Sequence, residues 1–166
     1  MLAQDVIVKQ TQPLRIAESI GTAPGFGHDN LYPVFEQLYP RVAAYFERHG
    51  VPPGLCVAWY EEDDAGAVTV HAGFGVDDRR LRDEDGVVVH ELPVVEVAAV
   101  VYRGGMADVQ PTYEALIRWV DANGYRLAGR SRELYYEMCG PDGDESKNVI
   151  ELQLPIERVR APVPSP

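Results

Sequence analysis

Cysteine is scarce in this chain, and positive charge is in deficit. Cys56 and Cys139 form no CxxC pair and share no metal-ligand spacing with His28, His49, His71 or His90. Two cysteines suffice for one disulfide on count, but a reducing compartment favours free, partly buried thiols. HExxH, the Walker loop, GxSxG and GxGxxG are all absent. Neither a metal nor a cofactor is therefore expected. No apolar run approaches the ~20 residues that span a bilayer. The start, "MLAQDVIVKQ", has no basic region followed by a long apolar stretch. A cytoplasmic location away from membranes is the expectation. Lys and Arg total 15 against 26 Asp and Glu, for a formal net charge of −11. The basic residues are scattered, with pairs such as Arg79–Arg80 but no stripe. Direct nucleic-acid binding is not expected of such a surface. Excess negative charge favours solubility and attracts cations.

What is present is ordinary globular material. The chain has 166 residues, 46% hydrophobic and 25% charged, enough for one domain with a sizeable core. Residues 5–9 and 14–19 read as extended, broken at Pro13. "GTAPGFGHDN" reads as a Gly-rich loop ending in N-cap candidates Asp29 and Asn30. Apolar residues Leu31, Val34, Phe35, Leu38, Val42, Tyr45 and Phe46 recur at helical spacing up to Gly50. Pro40, inside that pattern, predicts a kink or a split. "LCVAWYEE" and "AVTVHAGFGV" flank the turn "DDAG" and predict a hairpin. A second round follows: the extended "VVVHELPVVEVAAVVYRGG", a helix in "DVQPTYEALIRWVDANG", then strands in "RELYYEM" and "VIELQLPI". The order strand, helix, strand, strand thus occurs twice. It predicts an α+β fold of duplicated units, with an antiparallel sheet, two main helices and a groove where the halves meet. The domain is expected over residues 1–157, with repeats at about 5–76 and 87–157 and a flexible tail at 158–166.

"GRSRELYYEM" carries the most chemistry. In a strand, Glu133, Tyr135 and Glu137 leave on one face. A carboxylate facing a pocket is costly to desolvate alone. It takes up a proton, pairs with an arginine, or awaits a cationic partner. For Glu133 the plain alternative is an exposed strand residue paired with Arg130 or Arg132. Aromatic faces complement cations and flat apolar rings, which makes Tyr135, Trp59, Phe74 and Tyr102 candidate ligand contacts. Glycines on either side of Phe74 allow close approach. Glu137 is either a second pocket acid or a strand-end residue. Trp119 reads as core, and His71 as an ordinary sheet-surface histidine.

Taken in order, "AGFGV", "YRGG", "YEALIRWVDANGY", "GRSRELY" and "IELQLPI" resemble the GyrI-like effector-binding domain family, which includes ligand-sensing domains of MerR-type and AraC-type multidrug regulators. The resemblance spans nearly the whole chain. It implies a pocket at the pseudo-twofold axis, in which the motif glutamate, here Glu133, meets cationic aromatic compounds beside Tyr135. Tyr102 stands where relatives often have histidine. The motifs begin almost at residue 1, so a standalone binder is expected rather than a one-chain transcription factor. Three functions remain open on this reading. One is capture of planar hydrophobic, often cationic, molecules. Another is hydrolysis of cyclopropane electrophiles of DNA-alkylating natural products, with Glu133 and Tyr135 as the catalytic pair. The third is regulation of a protein partner.

Overall fold

A computed structural model describes residues 5–140 and 142–159. The elements run β1 (Ile7–Gln10), β2 (Leu14–Ala23), α1 (His28–His49), β3 (Cys56–Glu62), β4 (Val68–Gly75), β5 (Val88–Leu92), β6 (Glu96–Arg103), α2 (Gln110–Ala122), β7 (Tyr125–Leu127), β8 (Arg132–Glu137) and β9 (Val149–Arg158).

Helix α1 forms because Leu38, Val42, Tyr45 and Phe46 fall on one buried face. It ends at Gly50, whose φ of 65° suits a residue without Cβ. The expected split at Pro40 does not occur, and the helix is continuous through it. Proline removes one N–H, and the stripe of Leu38, Val42, Tyr45 and Phe46, buried on both sides of Pro40, keeps the helix formed across it. Nor do Asp29 and Asn30 cap the helix. They lie within its first turn, behind Gly27 as N-cap. The Gly-rich loop is also shorter than expected, since β2 runs on to Ala23 in register with β4. Gly21 belongs to the strand because α1 lies close above it. A Cβ there would stand 3.0 Å from Cγ1 of Val34. At the other end, Arg158 closes β9 opposite Tyr125, and the Val159 N–H donates to Gly124 O at 2.9 Å. The expected tail therefore begins no earlier than residue 160, and residues 160–166 lie outside the described ones.

The sheet order is β1-β6-β9-β8-β3-β4-β2-β5, with β7 added beside β9. Its ends meet. β1 leads into β2 and β5 into β6, and the two continuous stretches pair antiparallel from Ile7 opposite Ala99 to Glu18 opposite Val88. Thr11 and Val95 bridge the gap, the Thr11 N–H donating to Val95 O at 2.9 Å and the Val95 N–H to Thr11 Oγ1 at 3.0 Å. The sheet thus closes on itself as a small barrel.

One face fills the interior. Ile16, Val57, Trp59, Leu92 and Leu134 meet there from strands on opposite sides of the ring. The other face carries the helices and the main core. Ala58, Tyr60, Val70, Ala72, Val100, Ile150 and Leu152 pack against Leu38 of α1 and Leu116 and Val120 of α2. α1 lies over β2 and β4, and α2 packs against β6 and β7. β3 and β8 pair in the middle of the sheet, between the strands under α1 and those under α2.

Candidate ligand-binding site

β3 and β8 pair antiparallel, with Glu133 directly opposite Ala58. Glu133 faces the helices and is only 2% exposed. Its Oε1 accepts a hydrogen bond from the Tyr135 hydroxyl at 2.9 Å and another from the Tyr60 hydroxyl. Its Oε2 accepts from the Tyr113 hydroxyl at 2.9 Å. Tyr113 comes from the first turns of α2, so sheet and helix both converge on one carboxyl group. The two arginines that could have neutralised it point elsewhere. Arg132 Nη2 donates to Pro93 O at 2.8 Å, and Arg130 pairs with Glu61 at 2.6 Å. Among the described residues, Glu133 has phenols as hydrogen-bond partners and no cation.

This setting fixes the electrostatics. Burial pushes the Glu133 carboxyl above its ordinary range, and the three phenol donors oppose that shift without cancelling it. Burial, and then the neighbouring carboxyl, holds Tyr60, Tyr113 and Tyr135 well above the usual phenol range. Cys56 is pushed up to about 11, chiefly by burial, so its thiol stays protonated and is a poor nucleophile. The site offers neutral donors and one acid that loses its charge more readily than most.

Aromatic rings extend from the carboxyl toward the surface. Tyr60 meets the ring of Phe35 at 6.3 Å and that of Phe26 at 5.6 Å. Phe35 touches Tyr39, and Tyr39 meets Phe74 edge-on at 5.5 Å. Above Phe26 opens a cleft of about 700 Å³ between the starts of the two helices, lined by Phe26, His28, Asp29, Asn30, Ala107 and Gln110. Rings around an acid suit flat apolar groups bearing positive charge.

The sequence-derived candidates separate into groups. Glu133 and Tyr135 share the hydrogen-bonded centre, and Phe74 joins it through Tyr39. Tyr102 lies on the helix-facing side, but its hydroxyl donates to Gly105 O at 2.6 Å. Glu137 is exposed and follows a bulge in β8, which breaks the alternation that would set it beside Glu133. Trp59 points the other way, into the barrel. Its indole N–H donates to Glu18 at 2.6 Å, and its ring stacks on His71 at 3.5 Å. His71 is accordingly buried rather than on the surface, between Glu18 and Glu61. Trp119 is partly buried against the main core, stacked on Tyr125. Tyr60, Tyr113, Phe26, Phe35 and Tyr39 were missing from the candidates. One signal for Tyr60 was available: it stands two residues past Ala58, as Tyr135 stands two past Glu133.

Comparison with known proteins identifies the family and the fold. The family model described as GyrI-like small molecule binding domain matches residues 22–157. No curated protein matches the chain. Among solved structures, the EcmrR C-terminal domain superposes with a TM-score of 0.71 at 20% identity, covering 93% of this chain and 98% of that one. In the EcmrR–DNA complex, the TM-score is 0.73 at 18% identity, and the match covers 93% of this chain but only 57% of EcmrR. SAV2435 bound to tetraphenylphosphonium gives 0.61 at 14% identity, with 92% and 93% covered. A hydrolase from Listeria innocua gives 0.61 at 11%, with 93% and 92% covered. At these identities the structures share the fold. With its sequence matched over most of its length, the chain belongs to the GyrI-like small molecule binding domain family.

Proposed function

We propose that this protein captures planar hydrophobic compounds, often cationic, between its helices, with Glu133 as acidic anchor. The carrying observation is the carboxyl group itself: buried, held by three phenols, and without a basic partner among the described residues. An unpaired buried acid is expensive to keep. A ligand cation that reaches it gains an anion already desolvated, while the surrounding rings accept many shapes. That SAV2435, similar in fold, is bound to the lipophilic cation tetraphenylphosphonium supports this reading. We also take the chain as two repeats, about residues 5–76 and 87–157, with the site at their junction. The test is fluorescence titration with a cationic rhodamine on wild type and Glu133→Gln. Micromolar binding that weakens at least about tenfold in the variant supports the anchor, that factor being ~1.4 kcal/mol. Equal affinity in both proteins overturns it.

One observation favours a second reading, hydrolysis of an electrophile. A carboxyl raised by burial and surrounded by hydroxyl donors brings together the groups that general acid–base chemistry uses. Glu133 would activate water, and Tyr135 or Tyr60 would polarise the electrophile. Turnover of a cyclopropane substrate, lost in Glu133→Gln while binding persists, would move this reading ahead of simple capture.

A further inference from the structure

We infer that ligands reach Glu133 through the cleft between the starts of α1 and α2, and that Phe26 is the lid that sets what passes. The inference rests on the binding reading above. Phe26 is an exposed aromatic residue outside the buried clusters. Phe26 is 44% exposed, yet its ring stands edge-on against Tyr60, which is 4% exposed. Tyr60 in turn donates to Glu133. From cleft to carboxyl the order is therefore Phe26, Tyr60, Glu133, and moving Phe26 uncovers the next ring inward.

The backbone around Phe26 is built for such movement. It lies between Gly25 and Gly27, and Gly27 has a φ of 102°, a conformation that a side chain resists. A Cβ on Gly27 would meet nothing within 4 Å, so that side of the loop is open, while the Gly27 carbonyl, accepting from the Asn30 and Leu31 N–H groups, ties its far end to α1. One side chain tethers the loop: Asn30 Nδ2 donates to Phe26 O at 2.8 Å, from within the first turn of α1. The opposite wall is Ala107 and Gln110, small and polar groups that leave the ring room to swing. Deeper in, Phe35 and Tyr39 of α1 and Tyr113 of α2 close the space between the helices. Phe26 is the ring that stands between solvent and this interior on the cleft side.

A lid of this kind acts on rate and size selection. Binding that waits for a conformational change associates slowly, and affinity falls by the fraction of time the open form is populated. Removing the ring, or cutting its tether, speeds association, most for bulky ligands. The experiment is stopped-flow fluorescence with rhodamine 6G on wild type, Phe26→Ala, Asn30→Ala and Glu133→Gln, each confirmed folded by thermal melting. Phe26 is exposed and outside the core, so Phe26→Ala is expected to fold. The association rate constant should rise at least about threefold in Phe26→Ala and in Asn30→Ala, while Glu133→Gln mainly speeds dissociation. If both lid variants associate at the wild-type rate while Glu133→Gln weakens binding, the lid is wrong and the anchor stands. If the lid variants accelerate binding but Glu133→Gln is silent, the entrance holds and the anchor lies elsewhere. Failure of wild type to bind the dye at all overturns both.

Discussion

Tyr60 and Tyr135 stand on neighbouring antiparallel strands, each two residues past the central Ala58–Glu133 pair, and both hydroxyls donate to the same oxygen of Glu133. One comes from each half of the chain. The carboxyl group is thus held from two neighbouring strands, and the Tyr113 hydroxyl on α2 donates to its second oxygen. Removing one donor leaves the carboxylate less stabilised while its burial is unchanged. Tyr60→Phe is therefore expected to push the Glu133 carboxyl further above its ordinary range. If cation binding needs the ionised form, its loss on acidification should begin at a higher pH in Tyr60→Phe than in wild type. Dye titrations across pH 4–8 read this directly, and coincident profiles count against a role for the ionised carboxyl.

The same burial predicts a stability cost. The folded-state pKa of Glu133 is raised, so the stability its protonation contributes is full below the unfolded value and is lost as pH rises through the folded one. Glu133→Gln carries no such penalty and keeps a similar shape. Near pH 7 it should melt higher than wild type, by about 2–4 °C for each kcal/mol relieved. Near pH 4 the difference should shrink. A variant that melts lower at both pH values would mean that the phenol–carboxylate bonds outweigh desolvation.

Much of this was legible in the sequence, for identifiable reasons. The β3–β4 hairpin, α2 and the paired strands β8 and β9 rest on local periodicity, and all are present. Closure of the sheet was not legible. It depends on residues near the N-terminus pairing with β5 and β6, far along the chain, and no local pattern encodes that register. Trp59 was misplaced for the same reason. Alternation did separate it from Tyr60, but around β3 and β8 both faces of the sheet are buried, so polarity did not reveal which one holds the site. His71 was read as pointing away from Val70 and Ala72, and it does, but into the barrel. Tyr113 looked like one more apolar position on a helix stripe, because its hydroxyl partner lies on a strand twenty residues later.

Trp59 offers a clean contrast with Glu133. Trp59→Phe keeps a ring over His71 but deletes the indole donor to buried Glu18. The loss should be about 1–3 kcal/mol of stability, measured by urea unfolding. Affinity for cationic dyes should not change, since the ring lies on the other side of the sheet. A drop in affinity matching that of Glu133→Gln would show that the two faces communicate.

Gly73 marks another constraint in the barrel. It pairs with Glu18, and a Cβ there would come within 2.3 Å of Ala17 O and 2.9 Å of the Glu18 Cβ. Backbone cannot yield as a flexible side chain does. Gly73→Ala is expected to cost about 1–3 kcal/mol, seen as a lower urea midpoint with the slope unchanged. Stability at the wild-type level would mean that β2 and β4 can slide apart locally.

The network behind Trp59 should make stability depend on pH in two directions. His71 Nδ1 and His90 Nε2 both lie 2.9 Å from Oε1 of Glu18. Burial pushes Glu18 upward, but the two histidines more than offset it and its pKa ends lowered. His90 is raised, first by its hydrogen bond to Glu18. For Glu18 the sign is that stability is present above the unfolded carboxyl pKa and lost as pH falls through the folded value. For His90 it is the reverse: stability is full below the unfolded histidine pKa and lost as pH rises through the raised one. The two contributions coexist in mildly acidic solution. His90→Gln should therefore lower the melting temperature at pH 5.5 and have little effect at pH 9. An equal loss at both values would mean that His90 contributes through packing and neutral hydrogen bonding, without its charge.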